Sequence, residues 1–214
     1  MMKNNFYVFQ KWTVNYLNNK EVDGMCAIII FNTYQLLLQN GINVENIIWF
    51  DSDTIQQLDD IDEKDEKNTL ISFHIRLFKT FNNRTKKDKT REYDILQNAF
   101  DKERFLNVKK KYSSLFDNFN NDISLLIGCL LESYRKYDLL TGNSLFRWSI
   151  GMGAVNNEAM KSAYSFLCMQ QNPEGYFGFY MKRNFDISEL RTMLCVSFDC
   201  ISAILKYRSQ YKNI

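Results

Sequence analysis

The scarcity of chain breakers is the feature that most limits what this sequence can fold into. The 214 residues include one proline and eight glycines, so few positions interrupt a regular backbone. Apolar residues meanwhile recur at i, i+3 and i+4, which is the period of a helix with one buried face. The segment 68–81 shows this clearly, because Leu70, Phe73, Leu77 and Phe81 fall on one face. We therefore expect an all-α fold in which Asn, Asp and Ser clusters end the helices.

The periodicity predicts about nine helices in antiparallel pairs. "CAIIIF" (26–31) is rich in β-branched residues but runs into "NTYQLLLQ" without a turn signal, so we expect helix there. Gly41 can take the left-handed conformation that ends this helix, and Asp186 with Glu189 forms a capping box for the last one. The predicted helices cover residues 6–17, 25–38, 44–58, 68–81, 91–100, 102–116, 122–137, 157–169 and 187–207.

Composition places the chain among globular proteins with a substantial core. It is 45% hydrophobic and 15% aromatic, and its length suits a single helical domain over 1–214. The five cysteines are odd in number and include no CxxC pair, which favours reduced core cysteines in a cytoplasmic protein. The longest apolar runs are far shorter than the ~20 residues of a membrane span, so none is expected.

Pro173 and two glycines gather in "MQQNPEGYFGFY" (169–180). The residue before a proline is disfavoured in a helix, so the helix that begins near Asn157 must end before Pro173. Gly175 and Gly178 then allow a tight turn, and the neighbouring aromatic residues can cover adjacent helix ends. We expect a rigid corner between two helices here.

The same segment resembles a known repeat. Lys161, the Phe166–Leu167 pair, Gln171, Gly175 and Phe177 are spaced as in the QW repeat of the terpenoid-cyclase-like α/α toroids, with Phe177 where Trp is usual. "LLLQNGIN" (36–43) and "ILQNAF" (95–100) look like degenerate copies. The resemblance implies paired antiparallel helices in a partial α/α toroid or solenoid-like arc, and in that family the motif is structural. An irregular helical bundle is the alternative architecture.

An acidic loop and a basic loop flank the helix predicted at 68–81. "DDIDE" (59–63) resembles the aspartate-rich motif of class I isoprenoid enzymes, which would make Asp59, Asp60 and Glu63 Mg²⁺ ligands in a small terpene-cyclase or prenyl-transfer enzyme. The acids continue into "KDEK" without an apolar frame, which favours a solvated loop. The basic loop at 82–92 lacks stacking aromatics, so we expect no nucleic-acid partner.

Other residues that could carry chemistry have structural interpretations. His74, the one histidine, lies between Phe73 and Ile75, where a core histidine is the usual case. No Cys and His spacing indicates a metal site. The two glycines of "SIGMGAVNN" (149–157) lack the Lys and Ser/Thr of a phosphate-binding loop, so we expect a turn.

Three functions remain open from the sequence. The first is a non-catalytic binding or accessory protein, with a role in natural-product or peptide biosynthesis, whose concave helical surface holds a peptide or apolar ligand through Trp148, Tyr176, Phe177 and Tyr180. The second is the Mg²⁺-dependent isoprenoid enzyme. The third is a regulatory or immunity-type protein that acts through helix–helix contacts or homodimerises through exposed aromatics.

Overall fold

A computed structural model describes residues 3–19, 23–44, 52–59, 61, 69–83, 88–118, 123–178 and 185–211. The prediction of an all-α protein is confirmed, because these residues form about ten packed helices, with one isolated β-bridge and no strand. No helix among them is both long and apolar enough to cross a membrane. The helices are α1 Lys3–Asn19, α2 Gly24–Gln39, α3 Ser52–Asp59, α4 Thr69–Asn82, α5 Lys89–Lys111, α6 Ser113–Asn118, α7 Ile123–Arg135, α8 Leu139–Gly151, a 3-10 turn Ala154–Asn156, α9 Glu158–Met169 and α10 Ile187–Tyr211.

Three helix predictions need correction. The predicted break at residue 101 is wrong, because α5 continues to Lys111 and Asp101 is buried inside it. The helix α8 was not predicted, because polar residues occupy much of its buried face. Of the helix predicted over 44–58, Val44 is not helical and α3 covers Ser52–Asp59, while residues 45–51 lie outside the described residues.

The described residues group into two compact units. Unit 1 comprises Met1–Leu96 and Gln171–Phe198, and unit 2 comprises Gln97–Gln170 and Asp199–Ile214. The helices α5 and α10 therefore contribute residues to both. Whether the chain is the single domain expected from its length stays a prediction.

Unit 1 is built on α2, which packs against α4, and α3 also packs against α4. The rings of Phe31 and Phe78 meet edge to face at 5.0 Å in this interface. Asn32 Nδ2 donates a hydrogen bond to the carbonyl of His74 at 2.8 Å, and both residues are fully buried. Burial lowers the pKa of His74 to about 3, so its ring is neutral. The prediction of a core histidine is confirmed.

The corner predicted around Pro173 is also confirmed. The helix α9 ends at Met169, and Gln171 Nε2 then donates to the carbonyl of Gly175 at 2.8 Å. The φ of Gly175 is +121°, and a Cβ placed there would lie 2.5 Å from the carbonyl oxygen of Val8. The backbone N–H of Phe177 donates to Ser197 Oγ at 2.9 Å. The corner is therefore packed against α1 and the first half of α10.

Unit 2 is organised by the hairpin of α7 and α8. The turn passes through Tyr137, with φ of 60°, and the Asp138 carboxylate caps α8 by accepting from the Thr141 N–H at 3.1 Å. Gly142 allows the two helices to approach closely, because a Cβ there would lie 2.3 Å from Cε1 of Tyr134. This contact fixes the position of the Tyr134 side chain.

Replacing Gly142 with alanine tests this close approach. We expect Gly142→Ala to lower the free energy of unfolding by about 1–3 kcal/mol through overpacking, measured by urea denaturation. Gly128→Ala in α7 is the matched control, because Gly128 is exposed and has open space at its Cβ position. It should instead stabilise by about 0.5–1 kcal/mol through helix propensity. Equal effects of the two substitutions would contradict the packing described.

Candidate functional site

A fully buried ion cluster lies in unit 2. The guanidinium of Arg147 (α8) binds Asp101 (α5) through two hydrogen bonds, Nη2 to Oδ1 at 2.6 Å and Nε to Oδ2 at 2.8 Å. Its Nη2 also donates to Asp199 Oδ1 (α10) at 2.8 Å. The exposed fractions are 4% for Arg147, 1% for Asp101 and 2% for Asp199. One arginine thus joins three helices away from water.

Neutral polar side chains complete this cluster. Asn143 Nδ2 donates to Asp199 Oδ2 at 3.0 Å, and Tyr134 OH donates to Asn143 Oδ1 at 2.9 Å. Gln97 Nε2 donates to Asp101 Oδ1 at 3.2 Å. Removing charges from water costs several kcal/mol per ion unless such bonds satisfy the remaining lone pairs. The network therefore also ties α7, through Tyr134, to α8.

The charges in the cluster do not balance, because two carboxylates face one guanidinium. Burial raises the pKa of Asp101, and the nearby Asp199 carboxylate adds to this rise, while Arg147 opposes it. A raised pKa means that the folded protein binds this proton more tightly than the unfolded chain does. The corresponding stabilisation is present at low pH and is lost as the pH rises through the raised pKa.

A cleft of about 220 Å³ lies in the same unit, between α5, the end of α7 and the start of α8. The buried network ties these three helices together through Asp101, Tyr134 and Arg147. Buried hydrogen bonds therefore connect the helices that carry most of the cleft's lining residues. The lining residues are Arg104, Asn107, Val108, Lys111, Tyr112, Cys129, Glu132, Ser133, Lys136, Asp138 and Thr141.

The acidic residues of the cleft are already engaged. Glu132 Oε2 accepts from Arg135 Nε at 2.8 Å and Glu132 Oε1 from Lys136 Nζ at 2.8 Å. The hydrogen bond from Arg135 has the larger effect and that from Lys136 the smaller, and together they lower the pKa of Glu132 to about 2. The second acid, Asp138, caps α8. Both carboxylates therefore have partners before any ligand arrives.

Two cations in the cleft have no acidic partner among the described residues. The guanidinium carbon of Arg104 lies 4.4 Å from the ring centroid of Phe100, and Lys111 Nζ lies 5.5 Å from that of Tyr112. Neither forms an ion pair within the described part of the chain. Contact between a cation and a ring face is worth roughly 0.5–1 kcal/mol at an exposed site. It leaves the N–H donors of Arg104 and Lys111 open to a ligand.

The cysteines show no sign of an activated thiolate. All five are free thiols, and Cys26, Cys195 and Cys200 are buried, as expected of core residues. Burial raises the pKa of Cys129, the thiol that lines the cleft. A nucleophilic cysteine requires the opposite shift.

The aromatic residues predicted to bind a ligand have packing roles where they are described. Tyr176 and Phe177 are 2% and 0% exposed in unit 1, and Tyr176 meets Trp12 edge to face at 5.5 Å. Trp148, in unit 2, is half-buried and stacks on Phe105 at 5.3 Å. Tyr180 lies outside the described residues. A ligand-binding role for this set stays a prediction, and the burial of Tyr176 and Phe177 does not support it.

The acidic patch is only partly described. Asp59 ends α3 and lines a polar pocket in unit 1 with Lys79, Asn82 and Asn83, while Asp60 and Glu63 lie outside the described residues. The described residues contain no group of three or more His, Cys, Asp or Glu side chains that could hold a metal ion. The Mg²⁺ site proposed for this patch stays a prediction.

Sequence reasoning missed the buried cluster, although one signal was available. Asp199 and Arg147 each interrupt an apolar run, "SFDCISAI" (197–204) and "LFRWSI" (145–150). Charged residues inside apolar runs are buried only when they are paired. Pairing these two positions would have pointed to a core ion pair between two helices.

No family model, curated protein or solved structure matches this chain. The likeness of residues 161–177 to a QW repeat therefore stays a prediction that the motif alone supports.

Replacing Arg147 with methionine tests the cluster. Arg147→Met leaves buried carboxylates uncompensated, so we expect a loss of about 3–5 kcal/mol of unfolding free energy at pH 7, measured by urea denaturation. The loss should shrink as the pH falls, because protonation removes the buried charge.

The matched control is Arg191→Met, which breaks the partly exposed ion pair of Arg191 with Asp23. Such pairs contribute about 0–1 kcal/mol. Comparable losses in the two variants, or a loss for Arg147→Met that does not change with pH, would show that Arg147 is not the core ion described.

Proposed function

We propose that this protein is a non-catalytic binding or accessory protein that holds a peptide segment of a partner in the cleft of unit 2. The observation that carries this proposal is a cleft whose three helices are joined to one another by the buried Arg147 network. A binding site that is ordered before its ligand arrives avoids part of the entropy cost of association.

The size and lining of the cleft favour a peptide segment. Pockets that enclose a drug-sized molecule measure about 300–1,000 Å³, whereas this cleft measures about 220 Å³. It suits a few residues of a longer chain. Asn107, Ser133 and Thr141 place amide and hydroxyl groups on its walls, and these groups can exchange hydrogen bonds with a peptide backbone.

The ionisation states of the candidate catalytic groups support a binding role over a chemical one. The thiol in the cleft, Cys129, has a raised pKa, so it is a poor nucleophile at neutral pH. The one histidine of the chain is neutral and fully buried in unit 1. A general base must reach its substrate within hydrogen-bond distance, and this imidazole has no exposed surface.

Several finer expectations remain part of the proposal. They include the partial α/α toroid or arc, the accessory role in natural-product or peptide biosynthesis and the cytoplasmic location. The peptide-binding role in the cleft does not depend on them. The cleft lining mixes apolar surface with charged, amide and hydroxyl side chains, which suits a peptide segment better than the purely apolar ligand that the sequence left open.

Filling the cleft tests the proposal. Val108 lines the cleft and Leu106 does not, although both lie on α5. Seven-residue peptides selected from a random display library on the wild-type protein should bind Val108→Trp at least about tenfold more weakly, which corresponds to about 1.4 kcal/mol. They should bind the control variant, Leu106→Trp, as tightly as the wild type. Calorimetry measures both affinities, and circular dichroism checks that both variants are folded.

Failure to select any peptide would contradict the proposal. So would selected peptides that bind Val108→Trp and the wild type equally well, since their site would then lie elsewhere.

A further inference from the structure

We infer that the segment held in the cleft is acidic and that Arg104 and Lys111 bind its carboxylates. This inference rests on the proposed function and adds the chemical class of the partner. The other conspicuous groups of the molecule, such as the buried cluster and the pair of Asn32 and His74, are closed off from solvent. The cleft offers charged groups that a ligand can reach.

The balance of charge around the cleft favours an anion. Its lining residues include three cations, Arg104, Lys111 and Lys136, and two anions, Glu132 and Asp138. Lys136 is already paired with Glu132, and the Asp138 carboxylate is occupied at the start of α8. Among the described residues that line the cleft, the charges left for a ligand are those of Arg104 and Lys111. An incoming carboxylate would gain charge-assisted hydrogen bonds without breaking an ion pair of the described residues.

The spacing of the two cations sets the spacing of the ligand's charges. Arg104 and Lys111 are seven residues apart on α5, which is a rise of about 10.5 Å at 1.5 Å per residue. They lie on one face of the helix, since Asn107 and Val108 between them also line the cleft. The two cations therefore form a row along one wall.

The form of the occupant follows from the same dimensions. We expect the segment to be extended, because a helix with its side chains is a cylinder about 10–12 Å wide and the cleft measures only about 220 Å³. An extended chain rises about 3.3 Å per residue and points alternate side chains to one face. Acidic residues at i and i+2 lie about 7 Å apart in such a chain, and those at i and i+4 lie about 13 Å apart. The separation of Arg104 and Lys111 along α5, about 10.5 Å, falls between these two spacings. The expected partner therefore carries alternating acidic residues in an exposed extended segment.

Two synthetic heptapeptides test this inference. In the first, Glu alternates with Ser from the first to the last position, and in the second Gln replaces every Glu. We expect the Glu peptide to bind with amide chemical shift changes confined to residues of the cleft, and to bind at least about tenfold more tightly than the Gln peptide. Raising the salt concentration should weaken its binding, because exposed charges are screened.

Charge reversal identifies the groups that bind. Arg104→Glu and Lys111→Glu should each reduce the affinity for the Glu peptide by at least about tenfold, and the double variant should bind no better than the wild type binds the Gln peptide. Lys102→Glu is the matched control, because Lys102 is exposed on α5 and does not line the cleft. It changes the net charge equally and should keep nearly the wild-type affinity.

The outcomes separate this inference from the proposed function. Equal binding of the two peptides would overturn the acidic specificity and leave a peptide-binding cleft. An equal loss in Lys102→Glu would overturn the assignment of Arg104 and Lys111 and would indicate attraction to net charge. If the Glu peptide fails to bind while library peptides still bind in a manner sensitive to Val108→Trp, only this inference fails. If no peptide of either kind binds, both fail.

Discussion

The ion cluster around Arg147 is the interaction on which the structure of unit 2 depends. One guanidinium makes two hydrogen bonds to Asp101 and two to Asp199, one to its carboxylate and one to its backbone carbonyl, so α5 and the second half of α10 are both fixed to α8. Such a cluster adds little net stability over an apolar core, but removing one partner strands a buried charge. Within unit 2, the cluster restrains how α5, α8 and the second half of α10 pack together.

This constraint links the core to the surface. The residues that form the cleft lie on the same helices that the cluster joins, and Tyr134 with Asn143 adds α7 to the arrangement. Arg104 and Lys111 are left without acidic partners among the described residues because the nearby acids serve other roles, Glu132 in a surface pair and Asp138 as a helix cap. This division of charges leaves two cations of the cleft available to an acidic ligand.

The sequence predicted the fold where local patterns determine the structure. Apolar spacing gave α4 and α7 to within two residues at each end, and Pro173 with Gly175 gave the corner after α9. Prediction from the sequence failed where a residue far away in the chain determines the local structure. The break predicted at residue 101 is absent, because Asp101 lies inside α5 and its carboxylate is buried against Arg147 of α8. The helix α8 was missed for the same reason, since Asn143 and Arg147 replace apolar residues on its inner face. Local spacing also could not show that Tyr176 and Phe177 face the core.

Hydrogen exchange at the side chain of Arg147 tests the central claim most directly. Its Nε–H donates to Asp101 Oδ2 at 2.8 Å inside the core. This hydrogen should exchange with deuterium only when the protein unfolds globally, at the same slow rate as the most protected backbone amides. Arg135, whose Nε–H lies in an exposed pair with Glu132, provides the internal reference and should exchange within the dead time of the experiment. Exchange of the Arg147 Nε–H as fast as that of Arg135 would show that the cluster opens to solvent and does not hold the helices together.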